Sequence, residues 1–520
     1  MIISFSCTDR QKVILRFSDI IRLPGDNPGT DFRYGSEMKQ MKKLLSILLA
    51  ATLLLSAFSA FAESAGSTPP GEPPEGFGGG NPPGDPPDGF GGGNPPGDPP
   101  GGGGFGGGTP PGGGTSSFTY SAAEEINADS GLKTRTGETY TSSSADENAL
   151  MITQAGVTLD NPTVTKTGDS DGGDNCNFYG LNAAVLLKDG ADVVITGGTV
   201  ESSASGANGV FCYGGNGDRN GAEGDGTPLH ISGTVITTTG DGSGGIMTTG
   251  GGVTYAENLT VTTSGRSSAA IRTDRGGGTV NVDGGTYTTN GLGSPAIYST
   301  ADITVENAVL TSNLSEGVCI EGKNSITLLN CDLTASNTKC NGNATFLDSI
   351  MIYQSMSGDA DSGTSSFTMT GGSLTSRNGH VFHVTNTNAV INLSDVEICN
   401  EDASGVLLSV CDDGWSGAGN IATLNADGQE LSGTILVGNN SVLTLNLTDG
   451  SSLTGSVSGE IVNARDDTVS TEVGTVNVSL DSTSTWSLTG DTFISSFSGD
   501  TASISFNGYT LYVNGTAVNP

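Results

Sequence analysis

Two short charged segments have the residue types that polysaccharide lyase chemistry requires. Arg272, Asp274 and Arg275 stand within four consecutive residues, and Lys323 follows Glu321 farther along the chain. A lyase needs an Arg or Lys that removes the proton α to a uronate carboxylate, with acidic Ca²⁺ ligands beside it. The pattern therefore predicts Arg272, Asp274, Arg275 and Lys323 as catalytic candidates. A solvated group of surface charges is the alternative, and the looseness of the motif favours it.

The acidic loop at residues 214–226 has the composition of a calcium site. Its glycines allow the chain to curl around a hard cation, and residues 168–180 contain a similar acidic group. Polar insertion loops that bind no metal are the alternative, because such patterns are permissive. The candidate oxygen ligands are Asp218, Asn220, Glu223 and Asp225 in the first loop, and Asp169, Asp171 and Asp174 in the second.

The histidines and paired aspartates do not match a hydrolase or a metal site. A polygalacturonase-like enzyme would present its Asp pair before its Gly-His pair and an Arg-x-Lys after it. Here His380 precedes Asp412 and Asp413, and no such Arg-x-Lys follows. His380 and His383 are three residues apart, which in a strand predicts opposite faces. His230 is isolated, so we expect no histidine cluster with metal-ligand spacing.

Aromatic and cysteine residues have a chemical and a structural interpretation. Exposed aromatic rings could stack on sugars, although in a coil they more often belong to the core or a cap. The seven cysteines beyond residue 62 are odd in number and irregularly spaced, so no disulfide framework is defined. We expect several of them to be small buried residues. The aromatic candidates are Tyr298, Tyr353 and Trp415; the cysteines are Cys176, Cys212, Cys319, Cys331, Cys340, Cys399 and Cys411.

Composition excludes several classes of protein. The chain has 520 residues, 82 glycines and a formal net charge of −35. This charge argues against nucleic-acid binding, which needs a basic surface for phosphates. Abundant Thr, Val and Gly favour short strands and tight turns rather than long helices. The balance is typical of an exported chain that repels its own copies.

The first 117 residues carry the signals for export. Residues 41–62, MKKLLSILLAATLLLSAFSAFA, have two lysines, an apolar run and a small-residue end, and predict a secretory signal peptide cleaved after Ala62. We interpret residues 1–40 as an upstream segment from a misplaced start. Residues 63–117 are rich in Pro and Gly, and with little apolar mass to bury they predict a disordered linker. No membrane span is expected in the mature chain.

From residue 118 onward one sequence pattern repeats. It consists of two apolar residues separated by one other residue, and of an apolar anchor five residues after the second of them. Basal spacings are 23–26 residues, and three rungs carry insertions. One rung cannot bury its apolar residues, whereas stacked rungs form a continuous core. The repeat predicts an all-β fold, a single-stranded right-handed parallel β-helix (β-solenoid), with Glu321 and Lys323 two rungs from Arg272 on the same edge. The anchors are Val164, Val200, Ile236, Val261, Tyr287, Leu310, Leu333, Leu374 and Ile398.

The C-terminal part also repeats, but with a different sequence pattern. The segment that begins at Leu431 recurs at Leu453 and again at Trp486, and a hairpin is predicted around Asn507-Gly508. We therefore divide the coil into rungs at 118–420 and C-terminal rungs with a cap at 421–520. The segments TWSLTGDTFISSF and ISFNGYTLYVNG resemble the C-terminal passenger rungs of autotransporter adhesins. As a whole, the coil resembles secreted bacterial β-helix proteins of the surface or adhesin type.

This resemblance implies an exported, non-enzymatic adhesin or surface-interaction protein. Its partner would be a polysaccharide or another cell-surface ligand, bound along a flank of a monomeric coil outside the cell. The alternative is a carbohydrate-active enzyme on the same fold, similar to a Ca²⁺-dependent polysaccharide lyase. We expect no cofactor other than Ca²⁺ at the acidic loop.

Overall fold

The computed structural model describes residues 118–170, 172–216 and 224–518. Almost all of these residues lie in short strands or tight turns, with one short helix, Asp174–Tyr179, and one 3-10 turn, Thr501–Ser503. The predicted segments at residues 1–40, 41–62 and 63–117 lie outside the described residues. The all-β prediction is therefore confirmed for the part of the chain that follows them.

Most strands belong to two long parallel sheets, which wind together as a parallel β-helix. We call the first of them the covered sheet; its strands are Ala122–Ile126, Asn148–Ile152, Val185–Leu187, Val210–Tyr213, Ile246–Thr249, Ile271–Thr273, Ile297–Ser299, Val318–Glu321, Asp348–Tyr353, His380–Thr385, Val406–Val410, Thr434–Val437 and Val457–Ser458. We call the second the exposed sheet; its strands are Thr134–Thr136, Thr139–Ser142, Ala155–Asp160, Thr163–Lys166, Asp192–Thr196, Thr199–Ser202, Pro228–Ser232, Val235–Thr238, Gly252–Thr263, Gly278–Thr289, Asp302–Glu306, Val309–Ser312, Ser325–Ala335, Thr364–Ser376, Asn388–Ser394, Glu397–Asn400, Asn420–Asp427, Ser441–Thr448, Thr475–Leu480 and Ser496–Ser498.

All nine predicted anchors stack in register on successive rungs of the exposed sheet. Val164 pairs with Val200, and each following anchor pairs with the next as far as Ile398. Tyr140 pairs with Val164 and adds an earlier rung that the repeat search missed. Eight of the nine anchors are fully buried, because stacking at a rung spacing of about 4.8 Å closes the core above and below each side chain.

A corner residue in the left-handed conformation explains the five-residue spacing between the second apolar residue of the pattern and the anchor. In a continuous strand, residues five apart point to opposite faces. Val282 and Tyr287 are nevertheless both buried, because the chain turns between them at Gly284 with φ of 71°. Neighbouring rungs turn at Asn258 and Asn307, with φ of 52° and 54°. Gly and Asn are the residues that tolerate this conformation, so they recur at the corner.

The C-terminal rungs pair as the repeated sequence segments predict. Leu431 pairs with Leu453, Leu453 with Trp486, and Trp486 with Ile504. The strands of this small sheet are Glu430–Ser432, Ser452–Gly455, Thr485–Leu488 and Ile504–Ser505. The exposed sheet continues across the boundary that we predicted at residue 420, since strand Asn420–Asp427 pairs on both sides.

The predicted hairpin at Asn507-Gly508 is wrong in its position. Both residues have positive φ and form a turn, but the strands on either side of it pair with other strands. The closing hairpin lies one turn later, where Leu511–Val513 pairs antiparallel with Thr516–Val518. Leu511–Val513 also pairs in parallel with Thr492–Ile494, so the hairpin extends an existing edge.

Insertions bury the outer face of the covered sheet. We call these segments the cover; they are the helix Asp174–Tyr179, residues 337–347, 354–363 and 412–419, and the antiparallel pair Glu460–Val462 and Thr468–Thr471. Their apolar side chains pack on the outward column of the sheet. That column is largely apolar and fully buried: Met151, Leu186, Phe211, Met247, Arg272, Tyr298, Cys319, Met351, His383 and Ser409.

None of the helices in the described ranges has the length and apolar character needed to span a membrane.

Candidate functional site

The charged segment around Arg272 lies beneath the cover. Only 1% of the surface of Arg272 is exposed, and its Nη2 lies 2.7 Å from Oδ2 of the buried Asp274. Its Nη1 donates to Oδ1 of Asn177 in the cover helix at 3.2 Å. The interpretation of these two residues as solvated surface charges is therefore wrong, because an insertion distant in sequence folds over them. Arg272 ties the cover helix to the sheet.

Arg275 joins two insertions that are far apart in the chain. Its Nη2 donates to Oδ1 of Asp359 at 2.6 Å, and its guanidinium lies 4.0 Å from the centre of the Phe178 ring. Residues 168–180 and 337–363, where the repeat is interrupted, thus meet at this charged edge. The nearby carboxyl of Asp174 has a raised pKa, first because it is buried and then because Asp359 carries the same charge.

Glu321 lies two rungs from Arg272, as the repeat predicts. Its carboxylate accepts hydrogen bonds from the hydroxyls of Tyr298, Tyr353 and Ser357, at 2.5, 3.2 and 3.2 Å. Burial raises the pKa of Glu321, and hydrogen bonds from Ser355, Tyr298 and Tyr353 oppose that shift. Lys323 lies closer to solvent and forms an ion pair with Asp361 at 2.7 Å. All four lyase candidates are therefore neighbours of the cover. The three basic ones each form an ion pair with an aspartate: Arg272 with Asp274, Arg275 with Asp359 and Lys323 with Asp361.

The three candidate aromatic residues are buried rather than exposed. Tyr298, Tyr353 and Trp415 belong to one cluster between the covered sheet and the cover. The rings of Tyr353 and Trp415 lie 4.9 Å apart at an angle of 52°. The three side chains line one small cavity together with Met351 and Glu316. The structure thus brings together residues that are up to 117 positions apart, from Tyr298 to Trp415.

The three-residue spacing predicts that His380 and His383 point to opposite faces, and this prediction is wrong. Nδ1 of each ring lies 2.7 Å from the hydroxyl of Ser409. Val381 and Phe382 are both in the core, which shows that the alternation of the strand breaks between the histidines. Nε2 of His383 lies 3.3 Å from Oδ2 of Asp413.

This chain of Asp413, His383 and Ser409 could polarise a hydroxyl group. Ser409 and His383 are fully buried, however, and the ring of Phe346 stacks on His383 at 4.7 Å. Burial lowers the pKa of His380 to about 3, so its ring is neutral at physiological pH. We interpret the group as a buried hydrogen-bond network that fixes the cover, because neither Ser409 nor His383 has exposed surface.

The predicted calcium ligands are only partly described. Asp218, Asn220, Glu223 and Asp171 lie outside the described residues. Oδ1 of Asp225 accepts hydrogen bonds from the backbone N and Oγ1 of Thr227, and Asp169 accepts one from the backbone N of Ser205. Across residues 118–170, 172–216 and 224–518, no three His, Cys, Asp or Glu residues are arranged to hold a metal ion.

Most cysteines of the coil are buried thiols. Cys176, Cys212, Cys319, Cys331 and Cys411 are buried, and Cys340 is half-buried. Burial raises the pKa of the Cys212 thiol to about 12, which keeps it neutral. The expectation that several cysteines behave as small core residues is confirmed.

The exposed sheet presents an open groove on three adjacent rungs. Tyr255, Asn281 and Thr304 stack in register along its floor. Tyr255 is 42% exposed, and its ring stacks on that of His230 at 4.7 Å and 9°. The groove has a volume of about 180 Å³. Beside it runs a column of carboxylates from the same rungs: Glu257, Asp283 and Glu306.

The polar column that contains Asn281 continues along the sheet, but its amides are used differently. Farther along, Asn392 donates to Thr368, Asn425 to Asn392 and Asn446 to Asn425, at 2.9–3.1 Å. Among the described residues the side chain of Asn281 makes no such bond, so its amide is available in the groove. A ligand there meets an aromatic ring, a free amide and a hydroxyl.

The apolar repeat in the sequence does not predict this groove. His230 is isolated in the sequence, so nothing local relates it to Tyr255. The pairing of His230 with Tyr255 follows from the register between rungs. The outward positions align in columns as the anchors do, and this alignment is the sequence signal for the groove.

The fold and these surfaces define the chain as a parallel β-solenoid protein. A scan against protein-family models found no match, and searches of curated proteins and of solved structures found none either.

Proposed function

We propose that this protein is an exported, non-catalytic β-helix that binds a polysaccharide along its exposed sheet. The observation that carries this proposal is the groove of Tyr255, Asn281 and Thr304 on an outer face that no insertion covers among the residues the structure describes. A sugar ring packs its apolar face on an aromatic side chain, while its hydroxyls bond to amides and carboxylates. A polymer with a repeating unit suits a surface whose columns also repeat.

Charge favours a neutral polysaccharide. The groove is flanked by three carboxylates, and the chain carries a formal net charge of −35. A polyuronate would be repelled unless a divalent cation bridged the two acidic surfaces. We therefore expect neutral glycans to bind without added metal and uronate polymers to bind only with Ca²⁺.

Export and surface attachment complete the proposal. The signal peptide at residues 41–62 supports delivery outside the cell, and the Pro/Gly linker at 63–117 would hold the coil away from the surface that retains it. The resemblance of the C-terminal repeat segments to the passenger rungs of autotransporter adhesins supports the same role. The proposed protein is an adhesin whose ligand is a glycan.

Retention on insoluble polysaccharides tests the groove. Purified protein is incubated with cellulose and with chitin, and the bound fraction is measured. We expect Tyr255→Ala to weaken binding about tenfold, which corresponds to about 1.4 kcal/mol. Tyr509→Ala is the matched control, since Tyr509 is 43% exposed against 42% for Tyr255 but lies outside the groove. Equal loss in both variants, or no retention of the parent protein, would contradict the proposal.

The same protein is tested for lyase activity. Polygalacturonate and Ca²⁺ are added, and unsaturated products are followed by absorbance. The burial of Arg272 supports binding without turnover, since its guanidinium is in an ion pair beneath the cover. Product formation that disappears in Arg272→Ala or Arg275→Ala would overturn the proposal in favour of the lyase.

A further inference from the structure

The ring of Tyr255 has one covered face and one open face. His230, on the preceding rung, stacks on it with the ring centres 4.7 Å apart and the planes at 9° to each other. This distance is close to the rung spacing of about 4.8 Å, so the two rings stack along the coil axis and stand upright on the sheet. The groove is lined by the rung of Tyr255 and the two rungs that follow it. Its open space therefore meets the face of Tyr255 that His230 leaves free.

The groove has room for one sugar ring. Its volume is about 180 Å³, and because a water occupies about 30 Å³ in the liquid, this equals about six waters, or about one pyranose. The rungs beyond Tyr255 carry the shorter side chains of Asn281 and Thr304, so the space opens directly in front of the free ring face. A pyranose packs its apolar face on an aromatic ring. Stacked on Tyr255, it must stand on edge, with one edge of hydroxyls toward the sheet.

Asn281 and Asp283 lie on one strand below this position. Both point outward because they are two residues apart, at a separation of about 6.6 Å. The carboxylate of Asp283 is held in place by Asn307, whose Nδ2 donates to its Oδ1 at 2.8 Å. Each carboxylate oxygen has two lone pairs, so Asp283 retains acceptors for sugar hydroxyls, and the amide of Asn281 supplies both a donor and an acceptor. The lower edge of a standing pyranose thus meets polar partners on one rung.

We infer that the groove holds one pyranose of a single glycan chain on edge, and that the glycan crosses the coil parallel to the strands. The ring stacks on the free face of Tyr255, and its hydroxyls bond to Asn281 and Asp283. In a glycan joined through equatorial oxygens, the linkages lie close to the plane of the ring. The glycan therefore follows the plane of the Tyr255 ring and not the coil axis. This inference rests on the proposed function, because it defines the form of the glycan that the same groove binds.

A sugar held on edge cannot belong to a crystal face. In a crystalline polysaccharide, neighbouring chains cover the edges of each ring, and a protein that binds the exposed ring faces needs aromatic rings that lie flat. Tyr255 stands upright in a groove, so a packed chain cannot enter beside it. The ligand class is therefore a free single chain of an equatorially linked glycan, either soluble or in the amorphous part of an insoluble polymer. Such amorphous chains are what would retain the protein on cellulose and chitin.

The width of the sheet limits how many sugar units make contact. The outward positions Thr279, Asn281 and Asp283 span about 13 Å, which is the length of roughly two or three sugar units. Along the coil axis, the outward column continues from Thr304 to Thr327 and Thr368 on further rungs. A glycan that crosses the coil should therefore gain affinity up to the trisaccharide, whereas an axial glycan would continue to gain.

Calorimetry with cello-oligosaccharides of two to six units tests the direction of the glycan. We expect the affinity to rise up to the trisaccharide and then by no more than about fourfold to the hexasaccharide, which offers four registers for three units. A gain of about tenfold or more from three to six units overturns the inference. Absence of binding to every oligosaccharide overturns the proposed function as well.

Two matched variants place the same bulky side chain at the two alternative exits of the groove. Thr279 lies two residues before Asn281 on its strand, and Thr327 follows Thr304 on the next rung. We expect Thr279→Trp to weaken trisaccharide binding at least about tenfold and Thr327→Trp to leave it within about twofold. Melting curves establish that both variants fold. A tenfold loss in Thr327→Trp, or no loss in Thr279→Trp, overturns the transverse arrangement.

Retention on two forms of cellulose separates this inference from the proposed function. The parent protein is incubated with amorphous and with microcrystalline cellulose at equal accessible surface area, and we expect at least about tenfold more to bind to the amorphous form. Asn281→Ala should weaken this retention, whereas Asn392→Ala, in the same column but outside the groove, should keep it. If both forms retain the protein equally, or Asn281→Ala binds as the parent does, the inference fails while glycan binding stands.

Discussion

Asp348 lies in the covered sheet beneath the cover, where 1% of its surface is exposed and its Oδ1 has no hydrogen-bond partner. Burial raises the pKa of its carboxyl well above the ordinary value, and the charges of Glu316 and Asp413 raise it further. The folded protein therefore holds a proton on Asp348 under conditions in which the unfolded chain releases it. Stability is lost as pH rises from the unfolded pKa, about 3.9, towards the folded pKa.

Asp348→Asn removes this loss of stability, because an amide has the shape of the protonated acid and no charge. We expect the variant to melt at the same temperature as the parent at about pH 4 and at a higher temperature at about pH 7. Thermal unfolding of both proteins at the two pH values measures the difference. A lower melting temperature of the variant at neutral pH would show that Asp348 is ionised in the folded state.

Asp402 provides the control of opposite sign. Hydrogen bonds from Ser404 and the backbone N of Gly379 lower the pKa of its carboxyl against the effect of burial. Its contribution to stability is present above the unfolded pKa and is lost as pH falls through the folded pKa. Asp402→Asn should therefore destabilise the protein more at about pH 7 than at about pH 4.

At the scale of elements, two ion pairs connect residues 354–363 of the cover to the coil. Arg275 and Asp359 are mostly buried, with 14% and 18% of their side chains exposed, and Arg275 also packs on Phe178. Lys323 and Asp361 form the second pair at 2.7 Å, with 55% and 30% exposed. The two pairs attach the same segment, so they differ mainly in access to water.

Hydrogen exchange of residues 354–363 distinguishes the two pairs. Arg275→Gln leaves Asp359 with a partly buried charge and no ionic partner, and we expect it to destabilise the segment by about 2 kcal/mol, with faster exchange. Lys323→Gln removes an exposed pair that contributes about 0–1 kcal/mol, so exchange should change little. Equal protection in both variants would mean that apolar packing alone holds the cover.

At the scale of the whole molecule, like charges stack on successive rungs. Glu257, Asp283 and Glu306 are neighbours in register, at the rung spacing of about 4.8 Å. A parallel coil brings every similar residue of the repeat onto its own copies, so repulsion accumulates along a column in which carboxylates recur. With a net charge of −35, the folded chain should be sensitive to screening.

Raising the salt concentration from about 20 mM to about 300 mM NaCl should therefore raise the melting temperature, because the screening length falls below the separation of most charges. Asp283→Asn removes the middle charge of the column and should reduce the salt-dependent increase. Thermal melts of parent and variant in sodium chloride measure both effects. A melting temperature that is independent of salt would contradict the repulsion argument.

The groove of Tyr255, Asn281 and Thr304 shows what a repeat can and cannot predict. The anchors and their register follow from the sequence, since alternation and spacing decide which residues point inward. The stacking of His230 on Tyr255 follows from the same register at outward positions, which the apolar repeat does not specify. The cavity at Trp415 could not be predicted, because part of its wall comes from insertions whose conformation no periodicity describes.

The amino-acid sequence by itself determined the β-helix: local alternation, Gly and Asn corners and a fixed rung length repeat the same short-range geometry on every turn. Only the tertiary structure decided that insertions bury one face of the coil, while the other face is open along the residues that the structure describes. Arg272 illustrates the reason. Its charge predicts exposure, but the helix that covers it lies 95 residues away at Asn177, and the sequence contains no local signal of that contact. Long-range packing of irregular segments is decided by the whole molecule.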